Sequence, residues 1–186
     1  DMPEVVSVSP DRVLKPHLAQ GIPLIKAGTV RSTYNGAGVA IAICDTGIDT
    51  SHPRLGGGGF PNAKVIGGYD TGDNDSDPRP NLVEGEAHGT SCAGIAAGDL
   101  GTVEAYIGGV AHNAKLYALK ISTGNTGSAY ESDMIEAWEW CITHQNDDPT
   151  HPILLISTSF GGGYYTALCD QASPLMTAAA ANAVAA

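Results

Sequence analysis

Four stretches of the chain carry the apolar pattern of strands: Val39 to Cys44, Ala63 to Tyr69, Lys115 to Ile121 and Ile153 to Ser157. Three of the four are apolar on both faces or nearly so, as parallel strands covered by helices on both sides tend to be. Between them the period changes. Ser132 to Ile142 sets Met134, Ile135, Trp138, Cys141 and Ile142 on one helical stripe, with Ser132 in the N-cap position. Further on, Ser173 and Pro174 open an alanine-rich helix, SPLMTAAAANAVAA. Strands alternating with helices imply right-handed crossovers. The fold class is therefore α/β, a three-layer α/β/α arrangement around a mainly parallel, doubly wound sheet.

The first strand raises a chemical question. VAIAICDTGIDTSHP runs from apolar residues straight into Asp45, and an isolated carboxylate at the end of a buried strand is costly to desolvate unless something holds it. The carboxyl ends of such strands are also where sites form in doubly wound sheets. A candidate partner is His88 in EAHGTSCAGIAAG, followed by the small residues Ala93, Gly94, Ala96, Ala97 and Gly98. A helix starting there can pack close to its neighbours and present the imidazole at its N-terminal end. Each residue alone has an ordinary reading, Asp45 as a turn or cap residue and His88 as a cap or surface residue. Asp49 reads as the cap of its own turn.

Composition narrows the field. At 186 residues the chain suits one domain. A formal net charge of -11 with no basic run argues against nucleic acid and anionic membrane as partners. No apolar run approaches the roughly 20 residues of a membrane span. The first residues lack the basic-then-apolar pattern of a signal peptide, so an exported form would already have lost its signal. Cys44, Cys92, Cys141 and Cys169 form no CxxC pair, against a zinc or thioredoxin-type motif of that kind. Glycine-rich stretches recur without a fixed period, and no internal repeat is visible.

CDTGID followed downstream by HGTSCAG resembles the subtilase family, the subtilisin-like serine proteases. GGVAHNAKLYALKI matches that family's stretch between the histidine helix and the substrate cleft, and ISTSFGGG resembles its substrate strand. The resemblance implies a subtilisin-like fold and a serine endopeptidase that hydrolyses peptide bonds through an acyl-enzyme, secreted from the cell. It implies that Asp45 orients the imidazole and His88 is the general base. Polypeptide substrates would add as a strand between Gly127-Ser128-Ala129 and Ser159-Phe160-Gly161, although their glycines also read as simple turn residues. Phe160 would wall an apolar pocket and favour apolar or aromatic residues before the cut. The family's nucleophile motif, of Gly-Thr-Ser-Met-Ala type, and its oxyanion-hole Asn do not occur in these residues. The resemblance thus reaches about two thirds of a catalytic domain, so the fold is expected to be incomplete at its C-terminus and the Ser-bearing C-terminal part of the same protein to be a partner. Two alternatives stay open: an inactive subtilase fold used for binding, and a calcium-dependent adhesion module, in which Asp45 and His88 would not meet.

YDTGDNDSDPRP places Asp70, Asp73, Asp75 and Asp77 within eight residues. A solvated acidic loop is the ordinary reading, yet the alternating oxygens suit Ca²⁺ and the string resembles the calcium loop of thermitase-like subtilases, with the Arg79 carbonyl completing the shell. A second family calcium site is not predicted, because Arg54 stands where the family usually has an acidic residue, with Gln20 the other candidate ligand. VVSVSPDRVLKPHLAQGIPLIKA resembles the junction between an inhibitory propeptide and a mature domain. Residues 1 to 18 are then a propeptide tail cut near Leu18-Ala19, or an N-terminal extension, and residues 19 to 186 the catalytic section. Cys44 and Cys92 sit in small-residue settings unsuited to nucleophilic catalysis. Cys141 reads as core, and Cys169 as a loop cysteine whose partner lies in the missing portion.

Overall fold

The computed structural model describes residues 18–81, 87–103, 106–166 and 170–186. Strands β1 (Ala40–Asp45), β2 (Val65–Asp70), β3 (Lys115–Lys120) and β4 (Ile153–Thr158) and helices α1 (Leu18–Leu24), α2 (Ala27–Val30), α3 (His88–Ala97), α4 (Glu131–Thr143) and α5 (Pro174–Ala185) follow in the order α1-α2-β1-β2-α3-β3-α4-β4-α5, with strand and helix alternating from β2 onward. β1 is buried at all six positions, so it has no solvent face and both sides need cover. Successive side chains alternate between the two faces. Ala40, Ala42 and Cys44 pack with Met134, Ala137 and Cys141 of α4. Ile41 and Ile43 pack with Ala93 and Ala97 of α3. These two cores are the two sides of the three-layer α/β/α arrangement that the pattern predicts.

The sheet order is β2-β3-β1-β4, and every pairing is parallel. Register brings the strand ends level: Asp45 lies opposite Lys120, and Lys120 opposite Asp70. Three charged residues are thus collected at one edge, each ending an apolar strand. Lys120 is 1% exposed and its ammonium donates to Asp70 Oδ2 at 2.7 Å, Asp73 Oδ2 at 2.8 Å and the Ser122 carbonyl at 3.1 Å. Burial lowers the pKa of Lys120, but the two carboxylates more than compensate and hold it above the usual lysine range. Lys120 and the Gly124 N–H hold Asp73 below the usual carboxylate range, whereas burial pushes Asp70 up. Asp73 therefore contributes stability that is lost only as pH falls through its lowered value, and Lys120 stability that is lost only as pH rises through its raised value. Both contributions are complete at neutral pH.

α3 comes unusually close to the end of β1. A Cβ on Gly89 would press into the Gly47 carbonyl and stand 3.0 Å from Asp45 Cβ. The Gly89 N–H donates to Thr46 Oγ1 at 3.0 Å, and Thr90 Oγ1 accepts from the Asp49 N–H at 2.9 Å. The small residues after His88 serve this approach.

Some local expectations are corrected. α4 starts at Glu131 behind an extended Tyr130, and Ser132 does not cap it; its hydroxyl donates to Asp133 Oδ1 at 3.2 Å. Glu131 and Asp133 in the first turn instead favour the helix through its dipole. Ser173 is at the N-cap of α5, but its hydroxyl donates to Glu131 Oε2 at 2.7 Å and ties α5 to α4. α1 and α2 are absent from the sequence reading because they are short and aperiodic, with Pro23 inside α1. β4 lies at the sheet edge with Leu154 and Leu155 each 59% exposed, so its apolar run is not covered on both faces. Of the propeptide reading, residues 1–17 lie outside the described residues, as does Cys169, and the cut near Leu18-Ala19 falls at the start of α1.

Gly89→Ala should cost roughly 1–3 kcal/mol in a urea melt, because neither the Gly47 carbonyl nor β1 can retreat without disturbing the sheet. Lys120→Met at pH 7 should cost about 3–5 kcal/mol by the same measurement, since it leaves two carboxylates facing each other without their cation.

Candidate functional site

Asp45 ends β1 with 1% of its surface exposed. Its Oδ1 accepts from the Thr46 N–H at 2.8 Å and from His88 Nδ1–H at 2.7 Å. Its Oδ2 is also buried and has no hydrogen-bond partner. His88 opens α3 with half of its side chain exposed. Because a carboxylate can only accept, the contact places the ring proton on Nδ1 and leaves Nε2 as the basic nitrogen. A buried carboxylate paired with a solvent-reachable imidazole is an arrangement that can take up a proton and stabilise the resulting cation. The adhesion-module reading, which keeps the two apart, does not survive this contact.

β4 delivers the next residues. Phe160 presents its ring to His88 edge-on, with centroids 6.3 Å apart and planes at 88°. Ser159 lies against Cys92, and a Cβ on Gly161 would meet open space. Gly127, Ser128 and Ala129 are held in a turn of their own between β3 and α4. Gly127 has φ 64°, the Thr123 N–H donates to the Ser128 carbonyl at 2.9 Å, and Ala129 bridges antiparallel to Ser122. The Ser91 hydroxyl donates back to the Ala87 carbonyl at 3.1 Å.

Cys92, one turn after His88, places Sγ 3.9 Å from Nδ1 and 4.0 Å from Nε2 of the imidazole. Burial raises its pKa above the ordinary thiol value, so the sulfur is protonated at neutral pH and a poor nucleophile. Asp49 accepts from the Ser51 N–H at 2.9 Å and the Ser51 hydroxyl at 2.6 Å, the turn-capping role expected of it.

The acidic loop borders an open pocket of about 450 Å³ lined by Asp49, Asp70, Asp73, Asp75, Asp77 and Arg79 among others. Asp70 and Asp75 exchange backbone hydrogen bonds of 3.0 Å that close the loop. Internal partners already engage its side chains. Asp70 and Asp73 meet Lys120, Asp75 Oδ1 accepts from the Asp77 N–H at 2.7 Å, and Asp77 pairs with both Nε and Nη2 of Arg79 at 2.7 and 2.6 Å. The donors are the hard oxygens that calcium takes. Among the described residues, however, three of them do not gather within 4.8 Å of one another in this loop. At the place of the second calcium site, Arg54 Nη1 donates to the Leu100 carbonyl at 2.9 Å while the Arg54 carbonyl accepts from the Asp99 N–H at 2.9 Å. Arg31 reaches the carbonyls of Ile107, Gly108 and Gly109 at 3.1 to 3.2 Å. The roles of Lys120 and Arg31 were missed from sequence; for Lys120 the signal was present, a charge closing the apolar run LYAL, the pattern that singles out Asp45.

Among the described residues, no helix is long and apolar enough to cross a membrane. The model of the subtilase family matches residues 36–186. Serine protease AprX of Bacillus subtilis is 34% identical over 146 residues, 78% of this chain and 30% of that protein. Thermitase of Thermoactinomyces vulgaris is 36% identical over 138 residues, 74% of this chain and 43% of that protein. Subtilisin E of Bacillus subtilis is 33% identical over 164 residues, 86% of this chain and 38% of that protein. The chain thus spans less than half the length of each of these relatives. In fold it is similar to the Clostridium perfringens CspB protease, with a TM-score of 0.61 and 22% identity over 79% of this chain and 34% of that one. It is likewise similar to MycP1 with its N-terminal propeptide removed, with a TM-score of 0.58 and 20% identity over 91% of this chain and 45% of that one. Motif order, parallel topology and the matched span agree, and the chain belongs to the subtilase family.

Proposed function

We propose that this chain is the aspartate- and histidine-bearing section of a serine endopeptidase, and that the nucleophilic serine and oxyanion-hole asparagine come from a further part of the same protein. The observation that carries the reading is the 2.7 Å bond between His88 Nδ1 and the buried carboxylate of Asp45. With Nδ1–H held, Nε2 takes the proton of a serine hydroxyl as its oxygen attacks the peptide carbonyl. The imidazolium that forms sits beside a carboxylate shielded from water, where the attraction is stronger than in solution. The same Nε2–H then protonates the leaving amine, and water repeats the cycle on the acyl-enzyme. The inactive-scaffold alternative keeps the same contact and lacks a serine opposite it, so serine-dependent cleavage decides between the two.

The substrate is a polypeptide in extended form, lying along Ser159-Phe160-Gly161 and Gly127-Ser128-Ala129 and bound chiefly by its backbone. The open space over Gly161 supports close approach there, and Phe160 beside His88 supports a preference for apolar side chains before the cut. Export from the cell and inhibition by a propeptide are parts of the same proposal and rest on the family. The acidic loop is proposed as a structural calcium site using Asp70, Asp73, Asp75, Asp77 and the Arg79 carbonyl; the donor chemistry and the acidic pocket support it. The ion's role would be to stiffen the loop, with no part in proton transfer.

In the protein's longest form, Asp45→Asn should lower kcat about 10⁴-fold while leaving the melting curve little changed, because the wrong tautomer of His88 is then stabilised. Cleavage that resists a serine-directed fluorophosphonate would remove the endopeptidase reading. Chelation of calcium should lower Tm by ~5–10 °C, the scale set by a site held well above saturation in a domain of this size; an unmoved Tm would exclude calcium from the loop.

A further inference from the structure

We propose that the pocket at the amino-terminal ends of β2 and β3 binds a small tetrahedral dianion, of the phosphate or sulfate class, between Lys64 and Lys115. The pocket holds about 300 Å³ and is lined by Lys64, Asp99, His112, Asn113 and Lys115 among others. Lys64 stands just before β2, and Lys115 opens β3. Because Ala40 lies opposite Lys115 and Asp45 opposite Lys120, this is the far end of the sheet from the histidine pair.

Charge marks the place. The chain has nine Lys and Arg, of which Arg12 and Lys15 lie outside the described residues. Arg79 and Lys120 are matched by carboxylates. Arg31, Arg54, Lys64 and Lys115 instead gather around this pocket from distant positions, so no basic run announces them. Arg31 and Arg54 spend guanidinium N–H groups on carbonyls, which are neutral. Lys115 donates to the Ala63 carbonyl at 2.6 Å. Lys64 donates to the His112 carbonyl at 2.6 Å and meets Asp99 Oδ1 at 3.2 Å. Asp99 is the one carboxylate lining the pocket among the described residues, so four cations face a single anion. The neighbouring groups feel this imbalance. Burial lowers the pKa of Lys64, Asp99 opposes that and Lys115 adds to it. Burial, then Arg31 and Lys64, hold His112 below the usual imidazole value against Asp99. Burial raises Tyr106, where Arg54 and Arg31 again oppose Asp99.

Hydrogen-bonding capacity is left over as well. An ammonium carries three N–H groups; Lys64 commits two of them and Lys115 one. His112 Nδ1 is buried and has no hydrogen-bond partner, so the ring can turn toward an incoming oxygen without losing a bond. The chemistry then selects the ligand. A surplus of positive charge repels metal ions, and the oxygens of a tetrahedral anion accept from several directions at once. Size matters because the chain carries a net charge of -11. Exposed charges are largely screened beyond about 8–10 Å at physiological salt, so a small ion answers to the local surplus, whereas an extended polyanion would also meet the acidic remainder. A bound dianion would tie the start of β2 to the start of β3 and stabilise the folded chain by mass action.

The test uses the protein in its longest form, in a zwitterionic buffer with calcium fixed and ionic strength held constant with sodium chloride. Sodium sulfate is titrated by calorimetry, at concentrations too low for its general stabilising effect on proteins. One sulfate per chain should bind saturably, and inorganic phosphate should compete with it. Lys115→Ala should weaken sulfate about five- to tenfold. Asp99→Asn removes the opposing carboxylate and should tighten sulfate about threefold or more. Lys26→Ala makes the same change of charge at an exposed lysine outside the pocket and should leave binding as it is. Asp99 is half exposed and Lys115 meets its carbonyl at the surface, so both variants should keep the melting curve of the unsubstituted protein in chloride alone. No saturable binding above the chloride control overturns the site, as does binding that Lys115→Ala spares, that Asp99→Asn weakens, or that Lys26→Ala weakens equally. O-phosphoserine tells the source of the group: competition with sulfate extends the ligand to phosphomonoesters, failure to compete confines it to the free ions, and either result supports the site once sulfate has bound.

Discussion

The carboxylate at the end of β1 lies away from water and is held there by the Thr46 N–H and by His88, and much of the surrounding architecture follows from that requirement. The imidazole must arrive at hydrogen-bond distance from a strand tip sealed by neighbours on both sides. It arrives on α3, which can come that near only where the approaching backbone has no side chain at Gly89 and the helix continues with Ala93 and Ala97 against Ile41 and Ile43. Thr46 holds the two backbones in register by accepting from the Gly89 N–H. The run of small residues after the histidine is a packing requirement set by an electrostatic one.

The level ends of β1, β3 and β2 extend the same logic sideways. Asp45, Lys120 and Asp70 occupy matching register positions, so the parallel sheet gathers charge along one line. Lys120 divides its ammonium between Asp70 and Asp73 and thereby anchors the acidic loop that begins where β2 stops. The histidine pair and the acidic loop thus share a single scaffold, two strands apart.

Much of this was legible in the residues. Parallel strands are continuous apolar runs, the partly exposed edge strand β4 included, so all four lie within a residue or two of the bounds the pattern predicts, and the aspartate closing one of them asked for a partner. What escaped had no periodic or compositional mark. Tyr130 stands at the N-cap of α4 in place of Ser132, and Glu131 and Asp133 support the first turn without a capping hydroxyl. Ser173 turns to Glu131, a tertiary contact between helices 42 positions apart that local pattern cannot carry. Arg31 bonds carbonyls 76 to 78 positions downstream, and Cys92 reaches His88 only because both lie on one face of α3, four positions apart.

Arg54 and Arg31 have a consequence for how the segment after α3 keeps its shape. Carbonyls of Leu100 and of residues 107–109 turn toward guanidinium groups, the positive charge that a loop of converging carbonyls calls for. A dissolved ion occupies such a loop according to its concentration and is withdrawn by dilution, but an arginine is tethered by its own backbone and is always at hand. At Leu100 and at residues 107–109 the charge that meets these carbonyls is therefore written into the chain itself.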